Sequence, residues 1–205
     1  MEALLTIHGF NVSDNGKSTV ALVAPYFLHL GYAYFPFHYG WSDIISPTKG
    51  VLWRDRILVN AIQDRIEKLH KVGYQVTVVG HSNGATLGWM ATHAKVRSQS
   101  PDKLVCINPA IEPSFPLGAF VERAVVCFSP DDKVLNLAGL LSPILPNWLL
   151  PWGNMGKVGP KTEDPRIVNI PILDHLPDVR KVGHSGIFQN NNLDRLMPVI
   201  IEKLT

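Results

Sequence analysis

The sequence predicts one α/β domain built on a mostly parallel sheet of about six strands, with helices on both faces. Two observations predict this fold class. Short apolar runs without a polar face recur along the chain, as in strands that are buried on both sides, and stretches with helical character separate them. No internal repeat and no shift in composition divides the 205 residues, so a single domain over residues 1–205 is expected.

The strands are predicted from six runs, at residues 4–7, 32–37, 75–79, 103–107, 124–128 and 167–173. Their content of β-branched, aliphatic and aromatic residues is typical of strands. Pro171 lies in the last run, and because proline cannot donate to a ladder, this run should be an edge strand or a shortened one. Cys106 and Cys127 lie at the ends of two runs and are expected to be small core residues that need no disulfide.

The helices are predicted at residues 17–30, 52–72, 84–97 and 193–204. In the second, Ile62 and Ile66 lie on one apolar face, and Gly73 is placed to cap the helix. The third is apolar almost all round, as a central buried helix should be. Pro25 predicts a break or kink in the first helix. Pro198 leaves two alternatives for the last, a kinked helix or one that begins near the proline.

A stretch rich in Leu, Pro and Trp without a clear period, residues 142–152, precedes a glycine-rich loop at residues 153–160. The loop lacks the strand-loop-helix setting and the Lys-Ser/Thr ending of a phosphate-binding loop. Residues 137–160 are therefore predicted to form either a cap or insert over a site, or a helix packed on the sheet.

Composition argues against several function classes. The net charge is +2, with 19 basic and 17 acidic residues and no basic run, so a nucleic-acid partner is not expected. The longest apolar run is too short and too interrupted by proline to span a bilayer. The first residues lack a charged region and a cleavage site, so no signal peptide and a cytoplasmic location are expected. No metal-ligand cluster is visible, and no cofactor is expected.

The most informative stretch is Gly80-His81-Ser82-Asn83-Gly84, which lies between a β-branched run and an alanine-containing helix. It matches the Gly-x-Ser-x-Gly pattern of a nucleophile elbow. A serine at such a sharp turn has a strained backbone, and the positions two before and two after it lie so close together that only small residues fit. The amide of Asn83 would open the following helix, whose positive dipole end favours an anion developing beside it.

A serine hydroxyl needs a histidine to take its proton and an acid to orient that histidine. On an open α/β sheet, both should come from loops at the carboxyl ends of strands. The loop after residues 124–128 offers Asp131 and Asp132. Asp132 is favoured because the residues after it resemble the run that follows such acids, and Asp131 is then a turn residue, although the two remain alternatives.

Of the eight histidines, His175 and His184 lie in the C-terminal part of the chain. His184 lies between Gly183 and Gly186, in a tight loop that could bring its ring over Ser82. His175 lies beside a proline-containing turn and is expected to be a surface residue.

Taken together, these motifs resemble those of the α/β-hydrolases, most closely the small lidless bacterial lipases and esterases. The matching pieces occur in family order and are His8-Gly9-Phe10, Gly80-His81-Ser82-Asn83-Gly84, residues 129–134 and residues 182–186. The resemblance implies a minimal α/β-hydrolase fold, an oxyanion hole made by the backbone N–H groups of Phe10 and Asn83, and a structural His8. The chain departs from the family in lacking the usual first antiparallel strands and in the length of residues 137–160.

The resemblance also implies hydrolysis of a small-molecule ester through an acyl-enzyme on Ser82, with Asp132 and His184 completing a triad, and without cofactor or metal. Loops that should ring the site carry large apolar side chains, and the expected substrate pocket is Trp41, Phe115, Leu140 and Trp148. Two alternatives remain: an acyltransferase or thioesterase that uses the same triad, and a catalytically silent hydrolase fold that binds a ligand or partner. The sequence leaves the oligomeric state open.

Overall fold

A computed structural model of the chain describes residues 1–9, 14–39, 50–135, 153–176, 182–189 and 191–205, with the backbone alone at residues 50–55. Its strands are β1 (Glu2–Ile7), β2 (Ala33–Phe37), β3 (Gln75–His81), β4 (Lys103–Ile107), β5 (Arg123–Phe128) and β6 (Ile167–Pro171). They form a 6-stranded sheet in the order β2-β1-β3-β4-β5-β6, in which each pair of neighbours is parallel. The predicted parallel sheet is confirmed.

The helices are α1 (Ala24–His29), α2 (Gly50–Lys71), α3 (Asn83–Ala91), α4 (Met155–Val158) and α5 (Asn192–Leu204). They cover both faces of the sheet, as the sequence predicts. One buried cluster joins the sheet to α2 and α3 through side chains such as Ile62, Ile66 and Leu87. The other joins it to α1 and α5 through Phe27 and Leu196.

The strand β3 lies in the middle of the sheet and ends beside β4, where His81 is paired with Ile107. The next N–H, that of Ser82, donates to the carbonyl oxygen of Ile107 at 2.9 Å. Ser82 therefore leaves the sheet at the middle of its carboxyl edge, between strands that are buried on both faces.

Gly73 ends α2 in the way that the sequence predicts. It has φ +88°, and its N–H donates to the His70 carbonyl at 2.9 Å. The N–H of Tyr74 reaches back to the Leu69 carbonyl at 3.1 Å. These two bonds close the last turn around a left-handed glycine, so the chain can turn directly into β3.

Two predicted helices differ from the structure. The helix α3 ends at Ala91, not at residue 97, because a neighbouring segment packs on its end: the Thr92 hydroxyl donates to the Trp89 carbonyl at 2.6 Å and accepts the Gly118 N–H at 2.9 Å. The predicted helix at residues 17–30 is a 3-10 turn, Val20–Val23, followed by α1. Pro25 lies in the first turn of α1, where its missing N–H costs no helical bond.

The helix α5 continues through Pro198 instead of beginning near it. The proline has no N–H for the carbonyl of Asp194, four residues earlier, so one helical hydrogen bond is lost. The buried face of α5 compensates, since Leu196, Met197 and Ile200 are at most 1% exposed against the sheet.

Both edge strands of the sheet contain a proline, Pro36 in β2 and Pro171 in β6. The edge position predicted for the strand with Pro171 is confirmed. A proline removes one donor from the exposed edge and so limits pairing with another chain.

The glycine-rich loop at residues 153–160 contains the short helix α4, and the remainder of the predicted cap, residues 137–152, lies outside the described residues. Among the helices that the structure describes, none has the length and apolar character needed to cross a bilayer.

Candidate active site

Ser82 lies at a sharp strand-to-helix turn between β3 and α3. Its backbone has φ 55° and ψ −124°, a conformation that is strained for a residue with a side chain. Gly80 and Gly84 make this turn possible. A Cβ built on Gly80 would lie 2.5 Å from the Ala85 Cα and 2.6 Å from the Gly84 carbonyl oxygen. The two glycines are therefore in close contact across the turn.

The residues that follow β1 pass directly beside this turn. A Cβ built on Gly9 would lie 3.3 Å from the Ser82 Cβ and 3.4 Å from the carbonyl oxygen of His81. This contact brings the end of the segment His8-Gly9, singled out in the sequence, to the serine.

Asp132 and His184 form a hydrogen-bonded pair at the same edge. Nδ1 of His184 lies 2.6 Å from Oδ2 of Asp132, and because a carboxylate only accepts, Nδ1 carries the proton. The other carboxylate oxygen accepts the N–H groups of Val134 at 3.0 Å and Leu135 at 3.2 Å. Asp132 is fully buried, and all of this buried charge is hydrogen bonded.

Asp131 does not take part in this pair. One of its carboxylate oxygens, Oδ2, is buried and has no hydrogen-bond partner among the described residues. His175 lies in the 3-10 helix Ile172–His175 and is not among the described hydrogen-bond partners of Asp132. Of the alternatives left open by the sequence, the structure brings together Asp132 and His184.

Ser82 and His184 are not hydrogen bonded to each other in the contacts that the described residues make. In unliganded serine enzymes, this contact is often long and tightens when substrate binds. The His184 side chain is 16% exposed, so part of it is accessible to solvent.

Two polar residues that the sequence analysis did not select contact the main chain of His184. The carbonyl oxygen of His184 accepts the side-chain N–H of Asn108 at 2.7 Å and Nε2–H of His81 at 3.0 Å. Burial is the largest cause and the nearby His184 the second cause of a pKa of His81 lowered to about 4. The ring of His81 is therefore neutral at pH 7. His81 is the last residue of β3, and Asn108 directly follows β4, at the same sheet edge as Ser82. This position at a strand end was the signal available in the sequence.

Both ring nitrogens of His8 contact backbone groups. Its Nδ1–H donates to the Gly9 carbonyl at 2.8 Å, and its Nε2 accepts the Tyr39 N–H at 3.4 Å. The Tyr39 ring stacks on it with centroids 4.2 Å apart. Burial lowers the pKa of His8, which favours this neutral ring. With both nitrogens occupied by backbone groups, His8 holds the segment after β1.

No protein-family model matches the chain, and no protein of curated function matches it in sequence. Its backbone does resemble solved structures. A protein from Xanthomonas campestris assigned to the alpha/beta hydrolase superfamily is 14% identical, with 100% of both chains covered and a TM-score of 0.60. An esterase from Pyrococcus furiosus is 10% identical over 99% of this chain and 82% of its own, with a TM-score of 0.61. The chain has the α/β-hydrolase fold.

A YdeN-like protein from Pectobacterium atrosepticum shares this fold at 16% identity. The match covers 100% of this chain and 94% of the Pectobacterium protein, with a TM-score of 0.51. The resemblance inferred from the motifs is therefore confirmed for the fold. At these identities, the comparisons describe the architecture, and the chemistry must be argued from the side chains.

In the α/β-hydrolase fold of this chain, Asn83 is the first residue of α3. The first helical bond runs from the Thr86 N–H to the Ser82 carbonyl at 3.1 Å, so the N–H of Asn83 is not used within the helix. This N–H lies at the positive end of the helix dipole. Phe10, the other residue expected to bind an oxyanion, lies outside the described residues.

The predicted substrate pocket is described at one position only. Trp41, Leu140 and Trp148 lie outside the described residues. Phe115 is half-buried, with its ring edge-to-face on His93 at 5.2 Å. His93 lies beyond the C-terminal end of α3, and Ser82 lies at the N-terminal end, so the structure does not bring Phe115 to the serine.

The described residues contain no group of three or more His, Cys, Asp or Glu side chains that could hold a metal ion.

Proposed function

We propose that this chain is a serine hydrolase that cleaves carboxylic esters through an acyl-enzyme intermediate on Ser82. The observation that carries the proposal is the 2.6 Å bond between His184 and the buried Asp132, at the sheet edge where Ser82 has a strained backbone. In this proposal, the turn at Ser82 is a nucleophile elbow and Ser82, Asp132 and His184 are the catalytic triad.

In the first step, Oγ of Ser82 attacks the carbonyl carbon of the ester, and its proton passes to Nε2 of His184. Asp132 stabilises the imidazolium through the bond at Nδ1. The N–H groups of Asn83 and Phe10 bind the negative oxygen of the tetrahedral intermediate. The bond to the alkoxy oxygen then breaks, and His184 gives its proton to the leaving alcohol.

In the second step, water attacks the acyl-enzyme. His184 takes a proton from the water as its oxygen bonds to the acyl carbon, and the bond to Oγ of Ser82 breaks. Ser82 regains the proton and the carboxylic acid leaves. No cofactor enters this cycle. The similarity to the Pyrococcus furiosus esterase supports an ester as the substrate class.

The environment of Asp132 supports catalysis over a silent fold. A fully buried carboxylate is costly unless it is paired, and this one accepts bonds from His184, Val134 and Leu135. A strained serine backbone is likewise a cost that functional sites commonly carry. The alternative, a binding module without activity, is favoured by one observation, the missing hydrogen bond between Ser82 and His184.

The proposal includes a pocket for the acyl chain of the ester. Trp41, Leu140 and Trp148 are proposed to line the pocket, with residues 137–152 as its cap. If Trp148 contacts the acyl chain, Trp148→Ala should lower activity on long-chain esters more than on short-chain esters. An equal loss on both would contradict the acyl-binding cap.

The proposal is tested by intact-mass spectrometry after treatment with a fluorophosphonate probe. One adduct is expected on the parent protein and none on Ser82→Ala. Ser100→Ala is the matched control, since Ser100 is also a buried serine, 1% exposed, but lies between the 3-10 turn Arg97–Gln99 and the start of β4. It should label like the parent.

An adduct that depends on Ser82 would lead to assays with esters of increasing acyl length, with thioesters and with competing acyl acceptors. These assays separate an esterase from a thioesterase and an acyltransferase. A folded parent that forms no adduct would contradict the proposed hydrolase and favour the binding module.

A further inference from the structure

The main chain of His184 is held separately from its ring. The bond from Nδ1 to Asp132 sets how the imidazole is rotated, but it does not determine where the backbone that carries the ring lies. That backbone is tied at one atom, the His184 carbonyl oxygen, by Asn108 at 2.7 Å and by His81 at 3.0 Å. The side-chain nitrogen Nδ2 of Asn108 also lies 3.4 Å from the carbonyl oxygen of the preceding residue, Gly183.

Asn108 is buried, and its backbone is held on two sides. It is fully buried, directly follows β4, and has φ 45°, a left-handed conformation that asparagine tolerates better than most residues. Its N–H donates to the Cys127 carbonyl at 2.9 Å. On the other side, α4 packs so closely that a Cβ on Gly156 would lie 2.3 Å from the Asn108 carbonyl carbon. Contacts from β5 and α4 therefore hold the backbone from which the Asn108 side chain reaches the carbonyl of His184.

His81 links the same carbonyl to the serine itself. It is 3% exposed, it precedes Ser82 in the chain, and its ring packs edge-to-face on Phe188 at 5.0 Å. Because the carbonyl of His184 only accepts, the single N–H of a neutral His81 must lie on Nε2. One residue thus joins the backbone of the serine to the loop of the histidine.

We propose that Asn108 and His81 are positioning residues, which fix the carbonyl of His184 and thereby keep its imidazole within reach of Ser82. The inference rests on the proposed function, in which His184 is the base for Ser82. It assigns to two donors a role in bringing the serine and the histidine together, in addition to the role of Asp132.

The first test compares kcat and KM on a short-chain ester. Asn108→Ala and His81→Met each remove one donor, and each should lower kcat about ten-fold or more while KM changes less than about two-fold, because small displacements of a catalytic base slow the chemical step. His81→Gln presents an N–H near the place of Nε2 and should recover most of the loss. The double variant should be non-additive, since both donors act on one carbonyl.

Asn192→Ala is the matched control. Asn192 is another buried asparagine, 4% exposed, whose side-chain N–H donates to a carbonyl of the same loop, that of Gly186 at 2.8 Å. It should keep kcat within about two-fold of the parent. A loss equal to that of Asn108→Ala would mean that the loop needs general anchoring, and would overturn the assignment to the His184 carbonyl.

A second readout does not depend on turnover. In protein labelled with ¹⁵N-histidine, the Nδ1–H proton of His184 that is bonded to Asp132 should give a low-field resonance, assigned by its loss in His184→Gln. The folded double variant of Asn108 and His81 should broaden or lose it, and Asn192→Ala should keep it. An unchanged resonance in the folded double variant would contradict the inference. If the parent shows no Ser82-dependent turnover but its resonance still depends on the two donors, the proposed hydrolase is contradicted. The positioning of His184 by Asn108 and His81 is then still supported.

Discussion

Gly84 packs on the backbone of Ile7, so closely that a Cβ built on Gly84 would lie 2.2 Å from the Ile7 carbonyl oxygen and 2.3 Å from that of His8. The start of α3 thus lies directly on the end of β1. Backbone atoms cannot give way as a flexible side chain can, so this contact admits glycine alone.

Gly84→Ala should therefore destabilise the protein by about 3 kcal/mol and reduce labelling of Ser82, because the start of α3 must move. Gly88→Ala on the same helix is the control. A Cβ there would meet only side chains, Val78 at 3.1 Å and Leu104 at 3.3 Å, and alanine favours the helix. Urea unfolding measures both variants. Equal stabilities would show that the contact at Gly84 is not tight.

Asp132→Asn should lower kcat about 10³- to 10⁴-fold, because an amide cannot hold Nδ1–H of His184 and stabilise an imidazolium as the carboxylate does. Asp131→Asn should change kcat less than about three-fold, since the described contacts of Asp131 do not include His184. Steady-state kinetics on one ester compares the two. The opposite ranking would assign the acid to Asp131.

The stability of the protein should depend on pH through His81. Burial lowers the pKa of His81 to about 4 in the folded chain, against about 6.5 in an unfolded chain. The contribution of the neutral His81 to the free energy of unfolding is therefore complete above pH 6.5. It is lost as the pH falls toward 4, because the unfolded state binds the proton first. About 2 kcal/mol of it should be lost between pH 7.5 and 5.

Urea unfolding of the parent and of His81→Gln at both pH values isolates this contribution. Burial also lowers the pKa of His8, with the same sign, but that contribution is common to both proteins and cancels in the difference. The parent should lose more stability than the variant. Equal losses would mean that His81 is not buried as a neutral ring.

The thiols of Cys106 and Cys127 should be unreactive in the folded protein. Both are fully buried, and they belong to the clusters on opposite faces of the sheet, so they cannot form a disulfide with each other. Burial raises the pKa of Cys127 to about 12 and also raises the pKa of Cys106. A thiol reagent should modify neither cysteine until denaturant is added, and then both. Rapid modification of the native protein would contradict this packing.

The sequence by itself determined the parallel sheet and the turn at Ser82. Apolar runs without a polar face can only be buried on both sides, and the spacing of Gly80 and Gly84 around Ser82 encodes a turn whose steric demands lie within five residues. Such signals are local, so they can be read without knowing where distant segments lie. The edge position of the strand with Pro171 is of the same kind, because proline lacks the donor that a central strand needs.

The sequence favoured Asp132 and left Asp131 as an alternative, and the tertiary structure decided between them. It alone decided where α3 ends and what surrounds Phe115. Asp131 and Asp132 are adjacent and chemically identical, and only the packing of the loop after β5 directs one carboxylate to the imidazole. The helix α3 ends where the segment at Gly118 packs against Thr92. The contact between Asn108 and His184 joins residues 76 positions apart. Pairings of this kind depend on the final arrangement of several strands, which no local pattern specifies.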